Sequence, residues 1–414
     1  MRLPDAIKDA LALAPSLLCG GVGFFLSFAV TGELWFNLGA GVVAFALAMW
    51  FLVRHSPHRA AVTLGSAACL LVAAILPSAI DRLHAQPPPA SDELVRQIAS
   101  TSIPLLSVDA GSGFDDLEPL RRVWQGARLV ALGEATHGTS EFFRMKHRMT
   151  EFLVTQMGFR HFAMELDPDS GREIEKYIQG GGRGNPVASL SWPWRTAEVA
   201  SMVDWMRKYN QSAPEPERVH FHGIDYQGER RDFRMARNTL DLLEQVGPSR
   251  VVLWAHNAHV STGAGWMGSY LKQTLRNQMY IAGFEFHHGR FTSNLNWVRT
   301  YEAEPADNRF YAGTLIRIGR PILFLDFRTM LANPAAEAWL EQPRFSHYLQ
   351  EMYGALRLKP AWVRDDEAWP SLFDGIIYIE ESTPSRVLLS YAMLLRTLGA
   401  FLRGVRAAGA RSAH

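Results

Sequence analysis

Glu134 and His137 stand three residues apart between two glycines, Gly133 and Gly138, just after the apolar run 129–132. A neutral imidazole titrates near neutrality and is a competent general base, and a carboxylate beside it fixes its tautomer and stabilises the imidazolium. The glycines permit close approach of other backbone to the pair. Glu165 follows the next apolar run, 161–164, and His256 and His259 follow the run 249–255. Lys146 lies in line with Phe142, Met149 and Leu153 at helical spacing. A lysine so placed either snorkels to solvent or reaches an acid, here Glu134 or Glu165. The set suits activation of water, with another histidine or Lys146 stabilising an oxyanion. Histidine and carboxylate ligands equally suit zinc or manganese, and spacing alone leaves both chemistries open.

Acids at other strand ends carry less weight. Asp225, Glu285 and Asp326 are of a kind more often found as caps or loop acids. The patch Trp192-Pro193-Trp194-Arg195 is either a packed loop or the wall of a cleft for a large, partly apolar substrate. Trp192, Trp194, Arg195 and Asp225 are therefore the candidate substrate contacts. The nucleophile-elbow pattern G-x-S-x-G is absent, as are a P-loop and a dinucleotide-binding glycine fingerprint.

Regular elements must hold these side chains in place. The run 129–132 has the length of a strand buried on both faces. Thr139 or Ser140 caps a helix whose apolar stripe ends at Gly158, and 161–164 is a second strand. Further strands are expected at 218–223, 249–255, 279–284, 321–325 and 375–379, with helices such as 196–209 and 231–245. This alternation predicts an α/β domain, a mainly parallel sheet flanked by helices. In such sheets ligands bind at the carboxyl ends of strands, which is where the polar set falls.

The chain has 414 residues and a formal net charge of +1, with no concentrated basic stripe, so nucleic acid is not an expected partner. Its two cysteines, Cys19 and Cys69, precede the catalytic candidates, which excludes disulfides and thiolate metal sites from the rest. Residues 14–31, 34–53 and 60–80 carry no charged side chain and approach the roughly 20 residues of a membrane span. The expectation is a three-helix membrane anchor over 1–85 in contact with lipid, a Pro-rich linker over 86–104, and a hydrolase domain over 105–400. Arg2, Lys8, Arg54 and Arg59 then place the N-terminus in the cytoplasm and the catalytic domain in the periplasm of a bacterial inner membrane.

The segment LGEATHGTSEFFRMKHRMTEFLVTQMGFRHFAMELD resembles the erythromycin esterase family. So do WPWRTAEVASMVDWMRKYN, HFHGIDYQ, VVLWAHNAHV, MGSYLKQTL, FLDFR and IIYIEESTPS, in that order, across about residues 105 to 395. The resemblance implies the erythromycin esterase-like fold and an antibiotic-resistance type of hydrolase that opens a macrolactone by attack of water. It implies His137 as general base, Glu134 and Glu165 as its acidic partners, and His256 and His259 as the second histidine pair. Lys146 occupies a basic position where some members carry arginine. No cofactor is expected, although a divalent metal at the His/Glu cluster is the alternative. The expected substrate is a small-molecule ester or lactone. Other readings are a metal-dependent hydrolase of an amide or envelope-glycan ester, and a non-catalytic protein binding metal or haem.

Overall fold

The structure, a computed structural model, describes residues 87–294, 298–347, 362–364 and 367–388. Its strands are β1 (Ile103–Pro104), β2 (Leu129–Leu132), β3 (His161–Met164), β4 (His220–Gly223), β5 (Val251–Trp254), β6 (Met279–Asn294), β7 (Val298–Ala303), β8 (Ile322–Asp326), β9 (Phe345–His347), β10 (Trp362–Arg364) and β11 (Gly375–Ser382). The helices that concern the site are α1 (Asp92–Thr101), α2 (Glu118–Trp124), α3 (Ser140–Met157), α4 (Pro168–Ile178), α5 (Ala197–Ser212), α6 (Arg231–Gln245), α7 (Asn257–Val260) and α8 (Met267–Leu275).

Nine strands build one sheet in the order β1-β8-β11-β6-β2-β5-β3-β4, with β7 paired to β6. Every pairing from β11 across to β4 is parallel. At the other edge β8 runs antiparallel to β11 and β1 antiparallel to β8, and β7 folds back antiparallel on β6. The fold is α/β as expected, with a mixed sheet whose parallel part carries the candidate residues. All four residues of β2 and of β5 are buried, the pattern of strands covered on both faces. Helix α3 ends where expected, at Gly158 in the left-handed region with φ 74°, its N–H bonded to the Leu153 carbonyl.

Two expectations change. Within 86–104, expected as linker, Ser91 caps α1 by accepting from Leu94 N, Asp92 and Glu93 favour its first turn, and Val95 and Ile98 are buried. Ile103 and Pro104 then add β1 to the sheet edge. The inner-membrane placement with a periplasmic catalytic domain is also corrected, because among the described residues no helix is long and apolar enough to cross a membrane. The longest of them, α3, spans 18 residues but carries Glu141, Arg144, Lys146, Arg148 and Glu151, charges that a bilayer core excludes. The stretches 14–31, 34–53 and 60–80, and the lipid contact they implied, lie outside the described residues.

Candidate functional site

Four adjacent parallel strands, β2, β5, β3 and β4, deliver one acidic or imidazole group each from their carboxyl ends: Glu134, His256, Glu165 and Asp225. The turn after β2 is held by two close approaches. A side chain at Gly133 would collide with the Asn257 amide, which accepts from Phe284 N at 3.0 Å and donates to Phe284 O at 2.8 Å. A side chain at Gly138 would collide with the Thr292 carbonyl, and Gly138 O instead accepts from Thr292 N at 2.9 Å and Ser385 N at 2.8 Å. Only glycine leaves room at either position.

Glu134 is wholly buried, and both its oxygens are engaged. Oε1 lies 2.6 Å from His137 Nδ1. Oε2 accepts from Lys146 Nζ at 2.6 Å and from Trp254 Nε1 at 2.9 Å. Lys146 therefore does not snorkel. Its ammonium is fully buried and lies 4.3 Å from the centroid of the Trp254 ring. Burial pulls its pKa down to about 8 against the pull of the Glu134 carboxylate. A carboxylate accepting at Nδ1 makes Nδ1 the protonated nitrogen of a neutral His137 and leaves Nε2 as its basic one.

Glu165 centres a second cluster. It accepts from Arg231 Nη2 at 2.8 Å and from His256 N at 2.9 Å, and lies 3.3 Å from His259 Nε2. His259 Nδ1 in turn meets Asp232 at 2.7 Å. Burial alone would raise the Glu165 carboxyl, but the charge and hydrogen bond of His259, and then the charge of Arg231, hold it well below the usual range. Asp225 binds Arg231 through Nε at 2.8 Å and Nη2 at 2.9 Å, so it orients that guanidinium. His256 heads the short helix α7, its Nδ1 accepting from Ala258 N at 3.2 Å. Its ring is 4.8 Å from that of His137. Burial keeps it well below the ordinary histidine range, so it stays neutral.

Of the tryptophan patch, Trp194 is the member that reaches the cluster. Its ring stands 5.3 Å from His137 and 6.1 Å from Trp254. Trp192 is half-buried in the same loop. Arg195 donates to the carbonyls of Leu190 and Leu388 and so ties this loop to the segment after β11. Glu285 and Asp326 serve elsewhere, Glu285 on His347 at 2.6 Å and Asp326 on the Tyr280 hydroxyl at 2.9 Å.

Sequence reasoning missed Arg231 and Asp232, which open α6. One signal was available. An arginine in the first turn of a helix opposes the macrodipole, a disfavoured placement that the carboxylates of Glu165 and Asp225 offset here. For a divalent metal the fit is poor. Glu134 and Glu165 are each already in contact with a fixed cation, Lys146 or Arg231. Among the described residues no group of three or more His, Cys, Asp or Glu is arranged around a common point.

The second cluster makes stability depend on pH. Burial opposes charge on His259, yet the carboxylates of Glu165 and Asp232 outweigh it and raise the pKa to about 10. An unfolded histidine titrates near 6.5, at about which point the folded chain keeps a proton that the unfolded chain releases. The stabilisation is complete below about 6.5 and declines as pH rises towards 10. Above about 8 the lowered Lys146 acts in the opposite sense. Buried histidines with lowered pKa, among them His147, His161, His256 and His287, push the other way near 6.5, so the effect of His259 is read as a difference: the urea midpoint of the wild-type chain relative to that of His259→Gln should fall as pH rises from about 6.5 to 8.

Comparison with known proteins adds the following. The family model described as erythromycin esterase matches residues 154–230 and 226–382, more than half the chain. Erythromycin esterase type II of Escherichia coli is 34% identical over 113 residues, which are 27% of this chain and 26% of that protein. The chain thus spans about a quarter of the length of the curated relatives it matches. Among solved structures, a succinoglycan biosynthesis protein aligns with a TM-score of 0.65 at 23% identity, covering 72% of this chain and 98% of that one. A mutant erythromycin esterase in its open conformation aligns with a TM-score of 0.50 at 12% identity, covering 66% and 95%. At these identities the structural likeness is one of fold.

Proposed function

The chain belongs to the erythromycin esterase family of hydrolases, and from that membership we propose that it cleaves an ester or lactone by attack of water activated at His137. The observation that carries the reading is the 2.6 Å contact between Glu134 Oε1 and His137 Nδ1, with Lys146 and Trp254 on the other oxygen. It sets the tautomer in which Nε2 takes a proton from water.

The hydroxide oxygen so formed bonds to the carbonyl carbon, and the carbonyl π electrons move to oxygen as an oxyanion. Arg231, whose side chain is 30% exposed, and the cationic His259 supply positive charge for that oxyanion. Collapse breaks the carbon–oxygen single bond, and the proton held at His137 passes to the departing alkoxide. Glu134 and the ionised Glu165 both favour the transient imidazolium. The neutral His256 beside it adds no opposing charge. Lys146 is sealed beneath Glu134, so its part is to position that carboxylate rather than to touch substrate. Trp194 gives the substrate an apolar wall, with Trp192 and Arg195 in the loop that carries it, and Asp225 orients Arg231. A macrolactone is the substrate class the family name suggests.

The test is incubation of the protein with a panel of macrolides, simple lactones and aryl or alkyl esters in oxygen-18 water. Mass spectrometry should find addition of one water, with the label in the carboxylate product. A panel in which no compound gains water would remove the reading.

A further inference from the structure

Glu198 stands in the first turn of α5, a place where the helix dipole favours an acid. Its surroundings show more than that. The side chain is only 1% exposed, and Thr196 already caps α5 by accepting from Val199 N at 3.2 Å. Both Glu198 oxygens are engaged outside α5. Oε1 accepts from Ser140 Oγ at 2.8 Å, and Oε1 and Oε2 lie 3.2 and 3.1 Å from the Arg386 backbone nitrogen. The Arg386 side chain is 76% exposed and stands 3.6 Å away, so its charge is screened by water. Hydrogen bonds from the two donors therefore offset the burial of this carboxylate.

Those donors lead to two different parts of the candidate site. Ser140 opens α3, three residues after His137. Arg386 lies in the segment 383–388, which follows β11. Near its start that segment is bound to the His137 turn. Ser140 N donates to Thr383 O at 2.8 Å and Ser385 N to Gly138 O at 2.8 Å. Glu141 accepts from Thr383 N at 2.7 Å and from its hydroxyl at 2.6 Å. Near its end the segment is bound to the tryptophan loop, with Ala197 N donating to Arg386 O at 2.8 Å and Leu388 N to Arg195 O at 3.0 Å.

We propose that Glu198 is a positioning residue: it fixes the turn that carries His137 against the loop that carries Trp194. The two rings stand 5.3 Å apart, and Glu198 joins the main chain behind one to the main chain behind the other. A substrate lying on the Trp194 wall is presented to His137 only while that spacing holds. A misplacement of about 1 Å caused away from the chemistry can cost about 10²-fold in rate. Oε1 alone reaches both donors, so glutamine keeps an acceptor for each and alanine keeps none.

The catalytic consequence rests on the hydrolase reading, whereas the positioning is read without turnover. Full-length protein is labelled with 5-fluorotryptophan, and the Trp194 signal in its fluorine NMR spectrum is identified by its loss in Trp194→Phe. That signal should move or broaden in Glu198→Ala and keep its wild-type position in Glu198→Gln. Ser140→Ala, which removes one donor of the two, should move it less and stands in where Glu198→Ala does not fold. On any ester or lactone that the wild-type chain turns over, Glu198→Ala should lower kcat/KM by about 10–100-fold and glutamine should restore most of it. Glu175→Ala is the control for a merely structural loss. Glu175 accepts from Phe221 N at 2.6 Å and lies 2.9 Å from His220 Nδ1, at the end of β4 opposite Asp225. Its removal should leave the Trp194 signal and kcat/KM unchanged. An unmoved signal in Glu198→Ala, an equal shift in Glu175→Ala, or wild-type kcat/KM in Glu198→Ala would overturn the proposal. A shifted signal in a chain that turns over no compound would support the positioning while removing the hydrolase reading.

Discussion

A chain carrying Glu134→Gln is expected to lose about 3–5 kcal/mol of stability, because it strands the fully buried Lys146 ammonium without its carboxylate. It should also lose most of its turnover, since a neutral amide no longer stabilises the imidazolium at His137. These two losses have separate causes, and a second substitution separates them. Lys146→Met fills the same space without charge, and replacing both members of a buried ion pair by neutral groups is often close to neutral in stability. The double variant Glu134→Gln/Lys146→Met should therefore unfold in urea near the wild-type midpoint while remaining inactive. If the single variant were as stable as wild type, the buried pair would not matter to the fold. If the double variant regained turnover, Glu134 would have no part in the chemistry beyond balancing Lys146.

Much of this arrangement could be read from residue order. The buried run 129–132, the glycine-bracketed Glu134 and His137, and the helix closing at Gly158 are local patterns with one period each, and each stands where expected. The placement of Lys146 was not decidable in that way. An apolar stripe is compatible with a snorkelling lysine until the distance to Glu134 is known. Arg231 and Asp232 were hidden for a different reason. They join Glu165 and His259 only because β5 lies between β2 and β3, with β4 next, an order that a single chain of letters does not contain. Asp225 shows the same limit. Its position at a strand end was legible, but its grip on Arg231 depends on how the loop before α6 returns to the sheet. The start of α1 inside an apparent Pro-rich linker was missed although Ser91, Asp92 and Glu93 form a recognisable helix entry. The prolines just before it dominated the composition.

The largest effect on catalysis is expected at His137. General-base catalysis contributes typically about 10²–10⁴-fold. Alanine there removes the base while leaving Glu134 with its Lys146 and Trp254 contacts, so the fold is expected to persist. The deciding measurement is kcat for wild type and His137→Ala on the same ester or lactone, with urea midpoints alongside to show that both chains are folded. A fall in kcat of about 10²–10⁴-fold with little change in KM is the predicted result. Full turnover by a folded His137→Ala protein would contradict the assignment of His137 as the base that activates water.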